Sequence, residues 1–203
     1  MSSRDERAES GFYPAPLPVP DGARTDRLAL RPLCATDAEI DYDAVMSSAA
    51  ELRLWSGGGW PADHLTLEED IADLERHERE HEDRAAFTYT VLGAGGGRCL
   101  GCVYVQPIWP EATALCAGAT RAAAVGFWVR TSELASDLDR HLLLTLLDWF
   151  RGRWAFGCIL FTNTLSETRQ AELLAEAGLV CLPLTWPDGS DGRAFRARFA
   201  DRL

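Results

Sequence analysis

From residue 86 to residue 162 the apolar positions change their spacing three times, and this succession of periods constrains the fold more than any single residue does. Two runs alternating with period two, residues 86–92 and 99–107, flank a glycine-rich stretch at 93–97 and read as an antiparallel hairpin. After a loop over 108–121, the β-branched and aromatic run at 124–130 predicts another strand. Leu138, Leu142, Leu146 and Trp149 then recur with helical spacing, and residues 158–162 read as a buried strand. Strands and a helix in this order must share one core, as in an α+β domain.

The remaining elements follow from local signals. Residues 27–31 (RLALR) alternate and stop at Pro32, as a half-buried first strand would. Thr36 with Glu39 has capping-box spacing ahead of a short helix to about Met46, and Thr66 with Glu69 has it again, opening an acidic helix to about Asp83 with Leu67, Ile71 and Leu74 on one face. Between them LWSGGGWP, residues 54–61, sets two large aromatics around three glycines; it reads as a packed loop or as a substrate-facing lid. Downstream, a helix over 166–177 closes at Gly178, and two strands near 179–184 and 194–199 end the chain around the turn Pro187-Asp188-Gly189. The sheet is expected to be mixed and mostly antiparallel, with six or seven strands and about four helices. Residues 1–22, polar and then Pro-rich, read as a tail or strap; residues 23–203 read as a single domain.

Charge and composition exclude several classes. The 203 residues carry 31 Asp and Glu against 20 Lys and Arg, a net charge of −11, which argues against a general nucleic-acid binder, since that would need a basic face. The longest nearly apolar run, 122–129, is far shorter than the roughly 20 residues of a membrane span. The six cysteines are scattered, and the opening MSSRDERAESG lacks the apolar core of a signal peptide, so a reduced cytoplasm is the expected compartment. Cys99 and Cys102 have zinc-ribbon spacing but no second pair, and they sit in a strand-like run. His77-Glu78-Arg79-Glu80-His81 matches the zinc-protease pattern H-E-x-x-H, yet no Asp, Glu or His lies between Arg84 and Pro110 to complete it, and the segment reads as a solvated charged face. No metal site is expected.

The element order, together with TDRLALRPL at 25–33, CLGCVYV at 99–105, VGFWVR at 125–130 and the Asn163 to Ser166 stretch leading to Gly178, resembles the GNAT superfamily of N-acetyltransferases over residues 24–200. The resemblance implies a fold splayed open between its fourth and fifth strands, with acetyl-CoA in the gap as co-substrate. It places the family's pyrophosphate loop on Leu134, Ala135, Ser136, Asp137, Leu138 and Asp139, where both glycines of the family pattern are aspartates. Ser136 and Asp139 also have capping-box spacing, so the sequence predicts a helix that caps itself where a phosphate would sit, with Arg130 and Arg140 as the cations that offset the repulsion.

The same resemblance implies that backbone N–H groups at Phe127, Trp128 and Val129 polarise the thioester carbonyl, that Asn163 touches the pantetheine arm and that Ser166 protonates the departing thiolate. Ser166 reads equally well as the N-cap of its helix. Tyr89, Tyr104 and Glu133 are the candidate general bases. The expected activity is acetyl transfer to a small amine, with a cationic acceptor favoured by the acidic chain, no nucleic-acid or membrane partner, and a homodimer compatible with the sequence. The alternative is a non-catalytic GNAT-fold binding module.

Overall fold

The computed structural model describes residues 12–200; the opening stretch MSSRDERAESG, read above as lacking a signal-peptide core, is residues 1–11 and lies outside them. The elements are β1 (Ala23–Arg24), β2 (Leu28–Pro32), α1 (Ala38–Met46), α2 (Ala49–Ser56), α3 (Leu67–Glu82), β3 (Phe87–Gly93), β4 (Cys99–Gln106), β5 (Ala122–Val129), α4 (Leu138–Arg153), β6 (Cys158–Thr164), α5 (Thr168–Glu176), β7 (Val180–Thr185) and β8 (Asp191–Arg198), with short 3-10 turns at Ala35–Asp37, Pro110–Cys116 and Thr131–Ser136. The strands form one sheet in the order β1-β2-β3-β4-β5-β6-β8-β7. Every neighbouring pair is antiparallel except β5 with β6. That parallel pair runs only from Ala122 opposite Cys158 to Val125 opposite Phe161, after which the strands part while β5 continues to Val129.

Period-two alternation sorts the side chains of the central strands to two faces. Val103, Val125, Phe127, Ile159 and Phe161 pack on α4, whose Leu138, Leu142, Leu146 and Trp149 are all buried as the helical spacing predicts. On the other face Cys102 and Trp128 meet Val45 of α1, Leu52 of α2 and Leu74 of α3. A third, smaller cluster beneath the 110–116 turn contains the Cys116–Cys158 disulfide, a pairing that the scattered cysteine spacing did not signal. Cys99 and Cys102 are buried in β4, and Cys99 Sγ donates to Asp41 Oδ1 at 3.6 Å.

The structure departs from the sequence reading at several elements. Residues Ala23–Arg24 add a two-residue edge strand, bringing the sheet to eight strands rather than six or seven. Residues 54–56 end α2 rather than belonging to a loop, because the helix stops only at Gly57, whose φ of 70° supplies the left-handed cap. The Thr36 capping box does not form: Thr36 Oγ1 donates to Cys34 Sγ and the 3-10 turn leads directly into α1. The Thr66–Glu69 box does form, but α3 buries Asp70, Leu74 and His77, and leaves Leu67 and Ile71 37% exposed. Its inner stripe is therefore partly polar, which a hydrophobic count cannot detect.

The Pro-rich segment is held to the domain. Tyr13 is 1% exposed, packs on Phe87, Trp154 and Phe156, and accepts a hydrogen bond from the Ala155 N–H at 3.0 Å. Arg84 donates to the carbonyls of Pro14 and Leu17, and Tyr89 donates to that of Pro20. The segment is not extended polyproline throughout, since the Leu17 N–H donates to the Pro14 carbonyl at 3.0 Å and closes a turn, and the second lone pair of that oxygen accepts from Arg84.

Candidate functional site

Two cavities open on the face of α1 to α3, and Trp55 of α2 lines both. The first, about 400 Å³, is bounded by Trp55 and Trp60, by Asp73, Arg76 and His77 of α3, by Tyr104 and Gln106 of β4, and by Trp109, Thr162 and Trp186. The second, about 270 Å³, is a groove between Leu52 and Leu54 of α2, residues 127–129 of β5, Leu134, Asp139 and the first turn of α5. It follows the gap that opens where β5 and β6 part. Gly126 sets the dividing wall, since a Cβ there would lie 3.1 Å from the Trp55 ring, and its absence lets the indole rest on the sheet.

The two cavities are also joined by a hydrogen bond. Trp128, on the groove side, donates from Nε1 to the Tyr104 hydroxyl at 3.3 Å, on the cavity side. Burial raises the Tyr104 pKa well above its ordinary value, so the phenol stays protonated. Asp73 is the opposite case: hydrogen bonding to His77, assisted by Arg76, lowers its pKa to about 2, which keeps it a carboxylate. His77 is buried, with its ring 5.6 Å from that of Tyr104, and its Nδ1 lies 3.0 Å from Glu80 Oε2 and 3.2 Å from Thr88 Oγ1.

In the groove, Gln170 of α5 donates from Nε2 to the Phe127 carbonyl at 2.7 Å, across the gap between β5 and β6. Asn163 donates weakly to Gln170 at 3.4 Å, and its own Oδ1 is buried without a partner. At the groove's far end Arg169 holds Asp139 through two hydrogen bonds, 2.8 and 3.2 Å, and donates to the Leu134 carbonyl at 3.0 Å. Arg27 donates to the Ser136 carbonyl and hydroxyl. Among the described residues no group of three or more His, Cys, Asp and Glu is placed to hold a metal ion, and no helix is long and apolar enough to cross a membrane.

No family model matches the sequence, and no curated protein matches it. Solved structures do resemble it. The ribosomal L7/L12 α-N-protein acetyltransferase RimL in complex with coenzyme A superimposes with a TM-score of 0.68 at 14% identity, covering 86% of this chain and 96% of that one. The microcin C7 self-immunity acetyltransferase MccE, in complex with acetyl-CoA and AMP, gives 0.68 at 13%, covering 89% and 97%. Mycobacterium smegmatis RimJ in complex with CoA-disulfide gives 0.67 at 19%, covering 84% and 81%. The fold is that of the GNAT acetyltransferases.

Within this GNAT fold the residues singled out from sequence are dispersed. Phe127, Trp128, Val129, Leu134, Asp139 and Ser166 line the groove, and Tyr104 lines the cavity. Asn163 lies behind the groove, against Gln170. Ser166 is exposed and is not the cap of α5; Glu167 is, accepting from the Gln170 N–H. Glu133 lines neither cavity, because Arg98 holds it at 2.7 Å on the outer side of the loop. Tyr89 lies on the α4 face, buried against Trp149.

The loop at 134–139 corrects the sequence argument most sharply. The capping expectation holds for one aspartate only: Asp139 Oδ1 accepts from the Arg140 N–H in the first turn of α4 at 2.9 Å, whereas Asp137 is the N-cap residue at φ 55° with no side-chain capping bond, and Ser136 Oγ turns back to the Glu133 carbonyl. Ala135 and Ser136 end the 3-10 turn that precedes it, and Leu138 is buried in the core. Arg130 is buried under α1, bound to Asp43 and the Cys99 carbonyl, while Arg140 pairs with Glu176. Arg169, which sequence reasoning missed, is the cation that meets the aspartates, since α5 brings it there from 30 residues away. His77 and His81 likewise point inward, His81 onto Phe87 and Tyr89, rather than forming a solvated face. Asp73, Arg76, Trp109 and Trp186 had no signal beyond residue type.

Proposed function

We propose that the chain is an acetyl-CoA-dependent N-acetyltransferase, with the donor in the groove and a small amine in the aromatic cavity. The observation that carries this reading is that the two cavities meet at Trp55, where β5 and β6 part. The groove suits a long, partly apolar donor: Leu54 and Trp55 offer an apolar wall, the β6-facing edge of β5 beyond Val125 lacks a strand partner, and the buried, unpartnered Asn163 Oδ1 lies beside it. Arg169 and Arg27 supply positive charge at the end where phosphates belong, and pairing with Arg169 offsets the charge of Asp139. Acetyl-CoA supplies a thioester carbonyl and a thiolate leaving group when bound.

Residues of the chain account for the remaining chemistry. Asp73, held anionic, shares Arg76 with Glu80, and this excess of carboxylate over guanidinium attracts an ammonium group into the cavity. The backbone of Phe127, Trp128 and Val129 is the candidate for polarising the carbonyl. The ammonium first gives one proton to solvent; the neutral amine nitrogen then bonds to the acetyl carbon as the C–S bond breaks, and the second proton it loses is balanced by one gained at sulfur. Tyr104, neutral and joined to Trp128 at the cavity junction, is the better donor of that proton; exposed Ser166 is the second candidate. Titration with acetyl-CoA by calorimetry, followed by thiol release over a panel of amines, tests the reading.

One observation favours the alternative of a binding module without turnover: Gln170 already satisfies the Phe127 carbonyl on the open β5 edge. Tight acetyl-CoA binding with no thiol release on any amine would select it. Absence of both binding and release would refute the acetyltransferase reading.

A further inference from the structure

Four of the chain's seven tryptophans, Trp55, Trp60, Trp109 and Trp186, line the same cavity, together with Tyr104. All five are only partly buried, although the core had room for large rings elsewhere, as Trp149 and Trp154 show at 4% and 1% exposed. Large aromatic faces left at a concave surface mark a ligand site rather than a core.

Their geometry is built rather than incidental. Trp109 and Trp186 stack with centroids 5.3 Å apart and planes inclined by 16°, forming a flat wall. Trp109 is fixed by a hydrogen bond from Nε1 to the Thr185 carbonyl at 2.9 Å. Trp186 lies on β8 over Gly192, where any Cβ would come within 2.3 Å of its Nε1, and its backbone closes the 186–190 turn through bonds with Ser190 and Gly189. Two chain segments thus converge to place one stacked pair, and the Cys116–Cys158 disulfide ties the segment carrying Trp109 to β6.

The opposite end of the cavity is charged. Asp73 of α3 lies there paired with Arg76 at 2.5 Å, and Arg76 also holds Glu80 at 2.8 Å, so two carboxylates share one guanidinium beside His77 and Tyr104, next to the Trp128 contact that leads to the groove. Tyr104 on β4 and Thr162 on β6 are two strand spacings apart, about 10 Å, so one small molecule can reach from the anionic end to the indole wall. Building on the acetyltransferase reading, we infer that the acceptor is an amine carried on a planar aromatic ring, with its ammonium group toward Asp73 and Tyr104 and its ring on the Trp109–Trp186 wall. Flexible aliphatic amines of the same charge satisfy Asp73 but leave the wall uncovered.

The test compares tryptamine with n-hexylamine, equal in charge and different in flatness, by calorimetric binding without acetyl-CoA and by thiol release with it. Tryptamine is expected to bind about tenfold more tightly and to show a correspondingly higher kcat/KM. Trp186→Ala should remove this preference while leaving hexylamine binding within about twofold; Trp109→Phe and Trp186→Phe, which keep a ring, should retain most of it. Equal affinity for the two amines, or a preference that survives Trp186→Ala in protein with unchanged thermal stability, would overturn the inference. Because the binding arm needs no donor, a chain that prefers tryptamine yet neither binds acetyl-CoA nor releases thiol would refute the acetyltransferase reading alone. Thiol release that is indifferent to ring structure would refute the aromatic acceptor alone.

Discussion

Arg169 of α5 grips the carboxylate of Asp139 in the first turn of α4, with Nε to Oδ2 at 2.8 Å and Nη2 to Oδ1 at 3.2 Å. Asp139 is 7% exposed and Arg169 is half exposed, so the pair sits at the lip of the groove with the cation outward. A carboxylate that seemed hostile to a phosphate in sequence is thereby converted into the anchor of a guanidinium. The pairing sets the sign of the first prediction.

If the groove holds a phosphorylated donor, Arg169→Ala should weaken CoA binding by about tenfold or more, because it removes a cation and leaves the Asp139 charge uncompensated. Asp139→Asn should change affinity by no more than about threefold, since it removes charge of both kinds of consequence at once: repulsion and the hold on Arg169. Titration calorimetry at two salt concentrations reads both effects. A larger loss in Asp139→Asn than in Arg169→Ala would show that the carboxylate, rather than the guanidinium, organises the site.

The N-terminal segment should be needed for stability. Tyr13→Ala removes a buried ring from the Phe87, Trp154 and Phe156 cluster and is expected to cost about 3 to 5 kcal/mol. Tyr13→Phe keeps the ring but leaves the buried Ala155 N–H without its partner, at about 1 to 3 kcal/mol. Urea unfolding of the two variants separates packing from hydrogen bonding. Wild-type stability in Tyr13→Ala would mean that the segment is not held in solution.

The contribution of Asp41 and Asp70 to stability should fall as pH rises from about 4 to about 7. Asp41 and Asp70 are buried between α3, α1 and β4, and desolvation lifts their pKa values to about 6 and about 7, against an unfolded value of about 3.9. Folding therefore takes up protons in that window, so the contribution is complete at low pH and is lost as pH passes through 6 and 7. Asp70, whose Oδ2 has no partner, is the better target. Thermal melts of Asp70→Asn should show a flatter pH profile and a higher Tm at pH 8, at about 2 to 4 °C for each kcal/mol. An Asp70→Asn profile no flatter than that of the wild type would count against this assignment.

The Cys116–Cys158 link closes a loop of 42 residues, and its removal should cost about 3 to 4 kcal/mol. The double Cys116→Ala, Cys158→Ala variant compared with oxidised and reduced wild type in urea measures it. An oxidised wild type no more stable than the reduced protein would sink the prediction.

The sequence by itself determined the elements whose signals are local: the 86–106 hairpin, the α4 stripe of Leu138, Leu142, Leu146 and Trp149, the Thr66–Glu69 cap and the Gly178 stop, together with the order that resembles the GNAT fold. Each depends on residues a few positions apart, so spacing alone reveals it. Only the tertiary structure decided the site. Arg169 reaches Asp139 from 30 residues away, Trp109 meets Trp186 across 77, and Cys116 meets Cys158 across 42. That Asp139 would hold an arginine as well as a first-turn N–H of α4 depended on what α5 brought alongside, because a carboxylate has acceptor sites for both and the guanidinium adds a charge-assisted bond. The inward faces of His77 and Asp73 were hidden for the same reason: a polar residue gives no periodic signal, and the sheet that α3 covers is formed by strands later in the chain.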